Sequence, residues 1–322
     1  MAQKSLIIMN PASGGGKDAA DTDVQDWQRW ADSVPDTQLR VTREAGDARR
    51  WAAEAVQSDI QRVLAIGGDG TLSEVIGGLR RGRDLEQVGG GDFEPGFTAQ
   101  DRPVLTLQPA GTGNDFARSL ELPHDVEATR QRFLHGRVST MDLIRVEDSS
   151  PAPRWMINVA SGGFGRQVAD AVDSDTKSRW GVFAYLRVAA SKMRESPIYQ
   201  ASLRIDDAEQ ATTHDCSAIL ICNGRFVGGG RELLGEDDAA PDDRQFHVAV
   251  VTANTFYERL TVGSQFAFHQ HLDSEFVQVC AARRLELTCD PEMGFSVDGE
   301  PNAQTPLTFV LEPAALRMTV PG

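Results

Sequence analysis

The sequence predicts a two-part protein: an α/β domain over residues 1–143, with a parallel sheet and flanking helices, then a mainly antiparallel β-sandwich domain over 144–322. Three observations predict it. Strand-like apolar runs alternate with helix-like stretches through the first half, the rhythm of a parallel sheet with crossover helices. Three glycine-rich turns each follow one of those strands, at the sheet edge where α/β proteins hold ligands. From about residue 144 short strand-like runs take over, separated by Gly, Asp and Pro turns, the mark of a sandwich or barrel.

In chain order, SLIIMN reads as strand one, the turn PASGGGK follows, and a helical stretch lies around Val24 to Ala31. QLRVT is strand two, and Asp47 to Val56 reads as a helix. RVLAIGG is strand three, and a helical pattern of Leu72, Val75, Ile76 and Leu79 comes after it. A loose polar loop from Asp84 to Pro103 precedes PVLTLQP, strand four. The turn AGTGNDFARSL then opens a helix at Asn114 or Asp115. In the second half the strand-like runs are MINVAS, ASLRID, SAILICN, FHVAVV, RLELTC, GFSVDGE and LRMTV, interrupted by a helical segment from Arg179 to Met193.

Composition excludes several classes. With 322 residues the chain can build two cores, and 40% hydrophobic residues is ordinary for a soluble globular protein. No apolar stretch is long enough to span a bilayer, and the apolar part of KSLIIMNP is too short for a signal peptide. Cys216, Cys222, Cys280 and Cys289 form no CxxC pair, so a reducing cytoplasm fits better than a disulfide framework or metal cluster. A net charge of −15 argues against nucleic acid as a partner. Lysine is scarce (Lys4, Lys17, Lys177 and Lys192), and two readings of that acidic, arginine-biased composition stand: adaptation to high salt, or a genome rich in G and C.

The segment AIGGDGTLSEVIGGL, residues 65 to 79, carries the most chemistry. Glycines let backbone approach an anion closely, and the N–H groups of a helix start point at it. Asp69 would repel phosphate directly, but not with Mg²⁺ between the carboxylate and the phosphate. The expectation is a kinase-like or phosphatase-like Mg–nucleotide site. One glycine turn alone is weak evidence; three at one sheet edge are more than turn chemistry requires. The chain has neither GxxxxGK[ST] nor GxGxxG after strand one, so neither a P-loop NTPase nor a Rossmann dehydrogenase fits.

NPASGGGK, IGGDGTLSEVIGGL and PAGTGNDFARSL, in that order, together with the late FSVDGEP, resemble the diacylglycerol kinase catalytic domain of the lipid kinase superfamily, which includes the YegS-type enzymes. The resemblance spans almost the whole chain. It implies an ATP- and Mg²⁺-dependent kinase acting on a hydroxyl of a diacylglycerol-like lipid alcohol, with the active site in a cleft between an α/β domain and a β-sandwich. It implies that Asn10, Pro11, Ala12, Ser13, Gly14 and Thr42 line the ATP site. It implies that Gly67, Gly68, Asp69, Gly70, Thr71, Leu72 and Ser73 hold phosphates, that Thr112 and Asn114 also meet the nucleotide, and that Lys17 neutralises phosphate charge. Asp69 would serve a catalytic Mg²⁺, with Asp115 and Asp142 supporting it. Asp298 would accept the substrate hydroxyl proton, with Glu300 beside it.

Each of these residues also has a plain structural reading. Asp298-Gly299 is a strong hairpin-turn dipeptide. Asp69 could cap its own helix with Thr71 and Glu74. Asn114 or Asp115 could be an N-cap, Asp142 a strand-entry residue, and Lys17 a solvated lysine.

One departure from the family pattern concerns a structural Mg²⁺ of the second domain. In AAPDDRQFHVAVV, Asp242 and Asp243 match, but Arg244 stands where glycine is expected and His247 where aspartate is common, which puts a metal at Asp243 in doubt. Glu236, Asp237 and Asp238 read as a solvated charge run. KSRWGVFAYLRVAASKMR, residues 177–194, gathers basic and aromatic residues that suit peripheral contact with an anionic membrane, or a helix packed on the sandwich. Open sandwich edges suit a homodimer. Two alternatives remain beside the lipid kinase: an NAD kinase, which shares GGDGT, and a nucleotide-binding regulatory protein without catalysis.

Overall fold

A computed structural model describes residues 3–13, 17–81, 103–150, 152–163, 197–227, 229–235, 239–267 and 274–321. Two compact units emerge, one of Met1–Leu143 with Glu312–Gly322, the other of Ile144–Leu311. The expected helix from Arg179 to Met193 and most of the loose loop before Pro103 lie outside the described residues, as does the acidic run Glu236–Asp238. Among the described residues, no helix is long and apolar enough to cross a membrane.

The first unit alternates strand and helix: β1 (Ser5–Met9), α1 (Lys17–Ser33), β2 (Thr37–Val41), α2 (Asp47–Gln57), β3 (Arg62–Gly67), α3 (Asp69–Arg81), β4 (Val104–Pro109), α4 (Asp115–Ser119) and α5 (Val126–His135). The strands run parallel in the order β2-β1-β3-β4, with Ser5 opposite both Thr37 and Arg62 and Arg62 opposite Val104. Every residue of β1 and β4 is buried, as continuous apolar strands require in a parallel sheet covered on both faces. At the edge, β2 is only half-buried. Leu72, Val75, Ile76 and Leu79 of α3 are all in the core, so their helical spacing marks the packed face. α3 nevertheless begins three residues before Leu72, because the Gly68 carbonyl accepts the Leu72 N–H. α5 is absent from the sequence reading, although Asp125 caps it by accepting the Ala128 N–H at 2.7 Å.

The second unit is antiparallel. Its strands are β5 (Arg137–Glu147, entering from the first unit), β6 (Arg154–Met156), β7 (Val159–Gly163), β8 (Tyr199–Ile205), β9 (Thr212–Cys216), β10 (Ala218–Cys222), β11 (Phe226–Val227), β12 (Arg231–Glu232) and β13 (Phe246–Val251). After the helix α6 (Phe256–Ala267) come β14 (Val277–Ala282), β15 (Arg284–Asp290), β16 (Gly294–Val297), β17 (Glu300–Gln304) and β18 (Leu307–Val320). One sheet has the order β14-β13-β10-β7-β16-β17. A second set of pairings joins β9 to β8, β8 to β15, and β15 to the first residues of β18. Side chains from both sets, among them Leu203, Leu285, Phe309, Ile219, Val248 and Phe295, form one buried cluster, the core of a sandwich. All four cysteines are free thiols.

The last strand departs from the expected division of the chain. LRMTV was expected in the sandwich, but Glu312–Gly322 belong to the first unit, where Met318 of β18 lies opposite Leu105 of β4 in parallel. The strand changes course at Ala314, which has φ 52, and the buried Asp142 carboxylate accepts the Ala314 N–H at 2.7 Å.

Candidate functional site

The first unit gathers three turns where β1, β3 and β4 end. After β1, Asn10 makes an Asx turn, its Oδ1 accepting the Ala12 N–H at 3.0 Å, while its Nδ2 donates to Thr71 Oγ1 at 3.0 Å. One asparagine thus ties the first turn to the second. After β3, Asp69, Gly70 and Thr71 precede the first intrahelical bond of α3, so their N–H groups are the orphan donors of a helix start. A side chain at Gly67 would overlap that of Thr71. After β4 the third turn meets the second backbone to backbone: a Cβ on Gly68 would lie 3.0 Å from the Gly111 Cα, and a Cβ on Gly111 would lie 2.5 Å from the Gly68 Cα. Only glycine fits at position 111, and a side chain at Gly68 would press on the facing backbone.

Asn114 closes the third turn. It sits in the left-handed region at φ 52, accepts the Gly111 N–H at 2.9 Å and donates to the Gly111 carbonyl at 2.6 Å. Its side chain does not cap α4; Asp69 does. The Asp69 carboxylate accepts the N–H groups of Asp115 at 3.2 Å and Phe116 at 3.3 Å. The capping reading therefore holds for Asp69, but on a neighbouring helix rather than its own. Glu74, expected in that cap, instead accepts the Gly46 N–H at 2.9 Å. Burial pushes the Asp69 carboxyl above its ordinary value, and the Asp115 charge adds to this against the pull of the N–H donors.

The loop after β2 is pinned from both ends. The Thr42 N–H donates to the Met9 carbonyl at 2.8 Å, which sets Thr42 beside the first turn. Asp47 accepts the Arg43 N–H at 2.9 Å and pairs with Arg50, and these contacts, the Arg43 N–H foremost, hold its carboxyl below the usual range.

Other expected residues stand differently. Pro11, Ala12 and Ser13 form the first turn, but Gly14 and the Lys17 side chain lie outside the described residues. Leu72 offers nothing to a phosphate: its N–H is given to Gly68 and its side chain is in the core. Ser73 lies within α3, one residue beyond Leu72. Thr112 is exposed and Asp115 is buried. Asp142 accepts the Ala314 N–H where β18 bends. Among the described residues, no three His, Cys, Asp or Glu side chains cluster as a metal cage.

In the second unit Asp243 serves its own turn, accepting the N–H groups of Ala240 at 3.2 Å and Gln245 at 3.0 Å. Arg244 takes φ 64, so the backbone keeps the conformation for which glycine is expected.

Asp298 and Gly299 form the two-residue turn between β16 and β17, with φ 45 and 87 and Val297 opposite Glu300. Positive φ at both positions is the hairpin geometry that favours Asp-Gly. The turn also places a carboxylate. Asp298 accepts three consecutive backbone N–H groups, from Ile157 on Oδ2 at 2.8 Å and from Asn158 and Val159 on Oδ1, both at 3.0 Å. Successive N–H groups make an anion-binding concavity, and here it fixes one side chain. Glu300 is half-buried at the first position of β17.

The sequence reading missed the asparagines behind this seat. Asn223 Nδ2 donates to the Ile157 carbonyl at 2.8 Å, and Asn158 Nδ2 donates to the Phe226 carbonyl at 3.0 Å. Asn223-Gly224 is a turn dipeptide, a signal that could have been followed.

Family models match both halves of the chain. The model of the diacylglycerol kinase catalytic domain matches residues 4–146, and that of the YegS C-terminal NAD kinase beta sandwich-like domain matches residues 158–320. A protein of Cronobacter sakazakii with the name "probable lipid kinase YegS-like" is 32% identical over 284 residues, covering 88% of this chain and 86% of its own. One of Stenotrophomonas maltophilia with the same name is 31% identical over 324 residues, covering 98% and 96%. The crystal structure of a diacylglycerol kinase from Bacillus anthracis superposes with a TM-score of 0.73 at 21% identity, covering 99% of this chain and 97% of that one. Yeast NADH kinase complexed with NADH shares the fold more distantly, with a TM-score of 0.56 at 10% identity, covering 100% of this chain and 84% of that one. With its glycine edge in the first unit and its Asp-Gly turn in the second, the chain belongs to the YegS-like family of lipid kinases.

Proposed function

We propose that this lipid kinase uses ATP with Mg²⁺ to phosphorylate the hydroxyl of a diacylglycerol-like lipid alcohol. The observation that carries the reading is the packed glycine edge: the Gly68–Gly111 contact and the Asn10–Thr71 bond fix the start of α3, where the N–H groups of Asp69, Gly70 and Thr71 suit phosphate oxygens. ATP with Mg²⁺ would supply the transferable γ-phosphoryl group and the divalent charge that its oxygens need.

The residues divide the remaining work. Asp69 would hold the metal and Thr42 would line the nucleotide. Asp298, seated on three N–H groups, would take the proton of the acceptor hydroxyl. Phosphoryl transfer asks mainly for positioning and charge neutralisation, and rigid glycine turns supply positioning. A lipid acceptor brings the enzyme to a bilayer, and the segment 177–194, with its basic and aromatic residues, is our candidate for peripheral contact.

The test is transfer of labelled γ-phosphate from ATP and Mg²⁺ to a panel of lipid alcohols and to NAD. Label in the organic phase, lost in Asp298→Asn while ATP binding persists, supports the reading. Label on NAD instead, or full activity of Asp298→Asn, overturns it.

A further inference from the structure

The seat of Asp298 is braced. Ile157 and Asn158 form the bend between β6 and β7, and their N–H groups, with that of Val159, hold the carboxylate. A bend that turns three N–H groups toward one acceptor has few backbone bonds of its own. Here the chain after β10 supplies the missing ones. The Asn223 N–H donates to the Asn158 carbonyl at 2.8 Å and that of Gly224 to the same oxygen at 3.3 Å. Asn223 Nδ2 reaches the Ile157 carbonyl at 2.8 Å, and in return Asn158 Nδ2 reaches the Phe226 carbonyl at 3.0 Å. The two side chains thus cross between the same two segments in opposite directions. Asn158 is 6% exposed and Asn223 1% exposed.

We infer that Asn158 and Asn223 are positioning residues that hold the 157–159 bend so that its N–H groups fix the Asp298 carboxylate for proton acceptance. The inference rests on the proposed role of Asp298 and deepens it. The carbonyl of each peptide points opposite to its N–H, so a side-chain amide that grips the Ile157 carbonyl also aims the neighbouring N–H groups. Loosening the grip costs Asp298 both orientation and charge stabilisation. A misplacement on the 1 Å scale lowers turnover by roughly 100-fold. Weaker N–H donation to the ionised form raises the pH at which the carboxyl takes up a proton.

The experiment compares wild type, Asn223→Ala, Asn158→Ala and Asp298→Asn, and each asparagine variant combined with Asp298→Asn. Labelled phosphate transfer is measured from ATP and Mg²⁺ to short-chain diacylglycerol and the other lipid alcohols in mixed micelles, across pH. The expected result is a fall in kcat of roughly 10- to 100-fold for each asparagine variant. KM for ATP stays within about twofold, the acid limb of kcat moves to higher pH, and nothing further is lost in the Asp298→Asn background.

An unchanged kcat and pH profile, with Asp298→Asn inactive, overturns the positioning role and leaves the Asp298 reading standing. A fall in kcat without movement of the acid limb, or one that adds to Asp298→Asn, also overturns it. Should an alanine variant fail to fold by circular dichroism, the serine variant at that position carries the test; failure of both serine variants to fold assigns the pair a structural role only. Full activity of Asp298→Asn, or a wild type that labels no lipid, overturns the underlying reading and this inference with it.

Discussion

The side-chain amide of Asn10 donates to the hydroxyl of Thr71 at 3.0 Å, across 61 residues of chain. This one bond joins the turn after β1 to the start of α3. Thr71 is 6% exposed, so its hydroxyl has little access to water as an alternative. Thr71→Val keeps the shape and removes the acceptor. We expect a loss of about 1–2 kcal/mol of stability by denaturant unfolding and weaker ATP binding by calorimetry. Unchanged affinity would separate this bond from the nucleotide site.

The Gly68–Gly111 contact leaves no room for a methyl group. Gly111→Ala places a Cβ 2.5 Å from the Gly68 Cα and 2.9 Å from Asn114 Oδ1, so backbone must move. The expected cost is about 1–3 kcal/mol, with ATP binding lost even where the protein still folds at low temperature. A melting temperature equal to wild type would contradict the close approach.

Asp142 lets two roles be separated. It accepts the Ala314 N–H where β18 turns at positive φ. Asp142→Asn keeps an acceptor oxygen, so stability should change little, whereas Asp142→Ala takes the acceptor from the part-buried Ala314 amide and should cost about 1 kcal/mol. Activity that follows stability, with Asp142→Asn near wild type, supports the β18 role. An inactive but fully stable Asp142→Asn would restore the expected place in the Mg²⁺ network.

The raised Asp69 carboxyl gives a pH signature. Burial penalises the ionised form, so the folded state keeps a proton that the unfolded state has already released. Stability from this group therefore falls as pH rises from 3.8 through the raised folded value, then stays level. Asp69→Asn lacks that titration. The difference in melting temperature between variant and wild type should grow in the variant's favour across this window and level off above it. A difference independent of pH would show that Asp69 titrates normally.

The sandwich strands were legible unevenly. β9 and β14 escaped the reading because TTHDC is mostly exposed and VQVCAA is largely exposed on its outer edge, so neither shows a clean alternation. α6 was missed although Thr255 and Glu258 form a capping box at its start, the Glu258 carboxylate accepting the Thr255 N–H and the Thr255 hydroxyl accepting the Glu258 N–H; within the helix the buried Arg259, which donates to the Ala253 carbonyl, blurs the usual apolar stripe.

By itself the sequence determined the α/β rhythm, the buried strands β1, β3 and β4, and the three glycine turns that follow β1, β3 and β4. These are local properties: apolar runs, helical spacing and backbone freedom are set by neighbours a few residues apart. Tertiary structure alone decided that LRMTV completes the first unit's parallel sheet, that Asp69 caps α4 rather than α3, and that the Asp298-Gly299 turn delivers its carboxylate to three N–H groups about 140 residues earlier in the chain. Each depends on which backbone donors long-range packing leaves unmet, and no local window of sequence contains both partners.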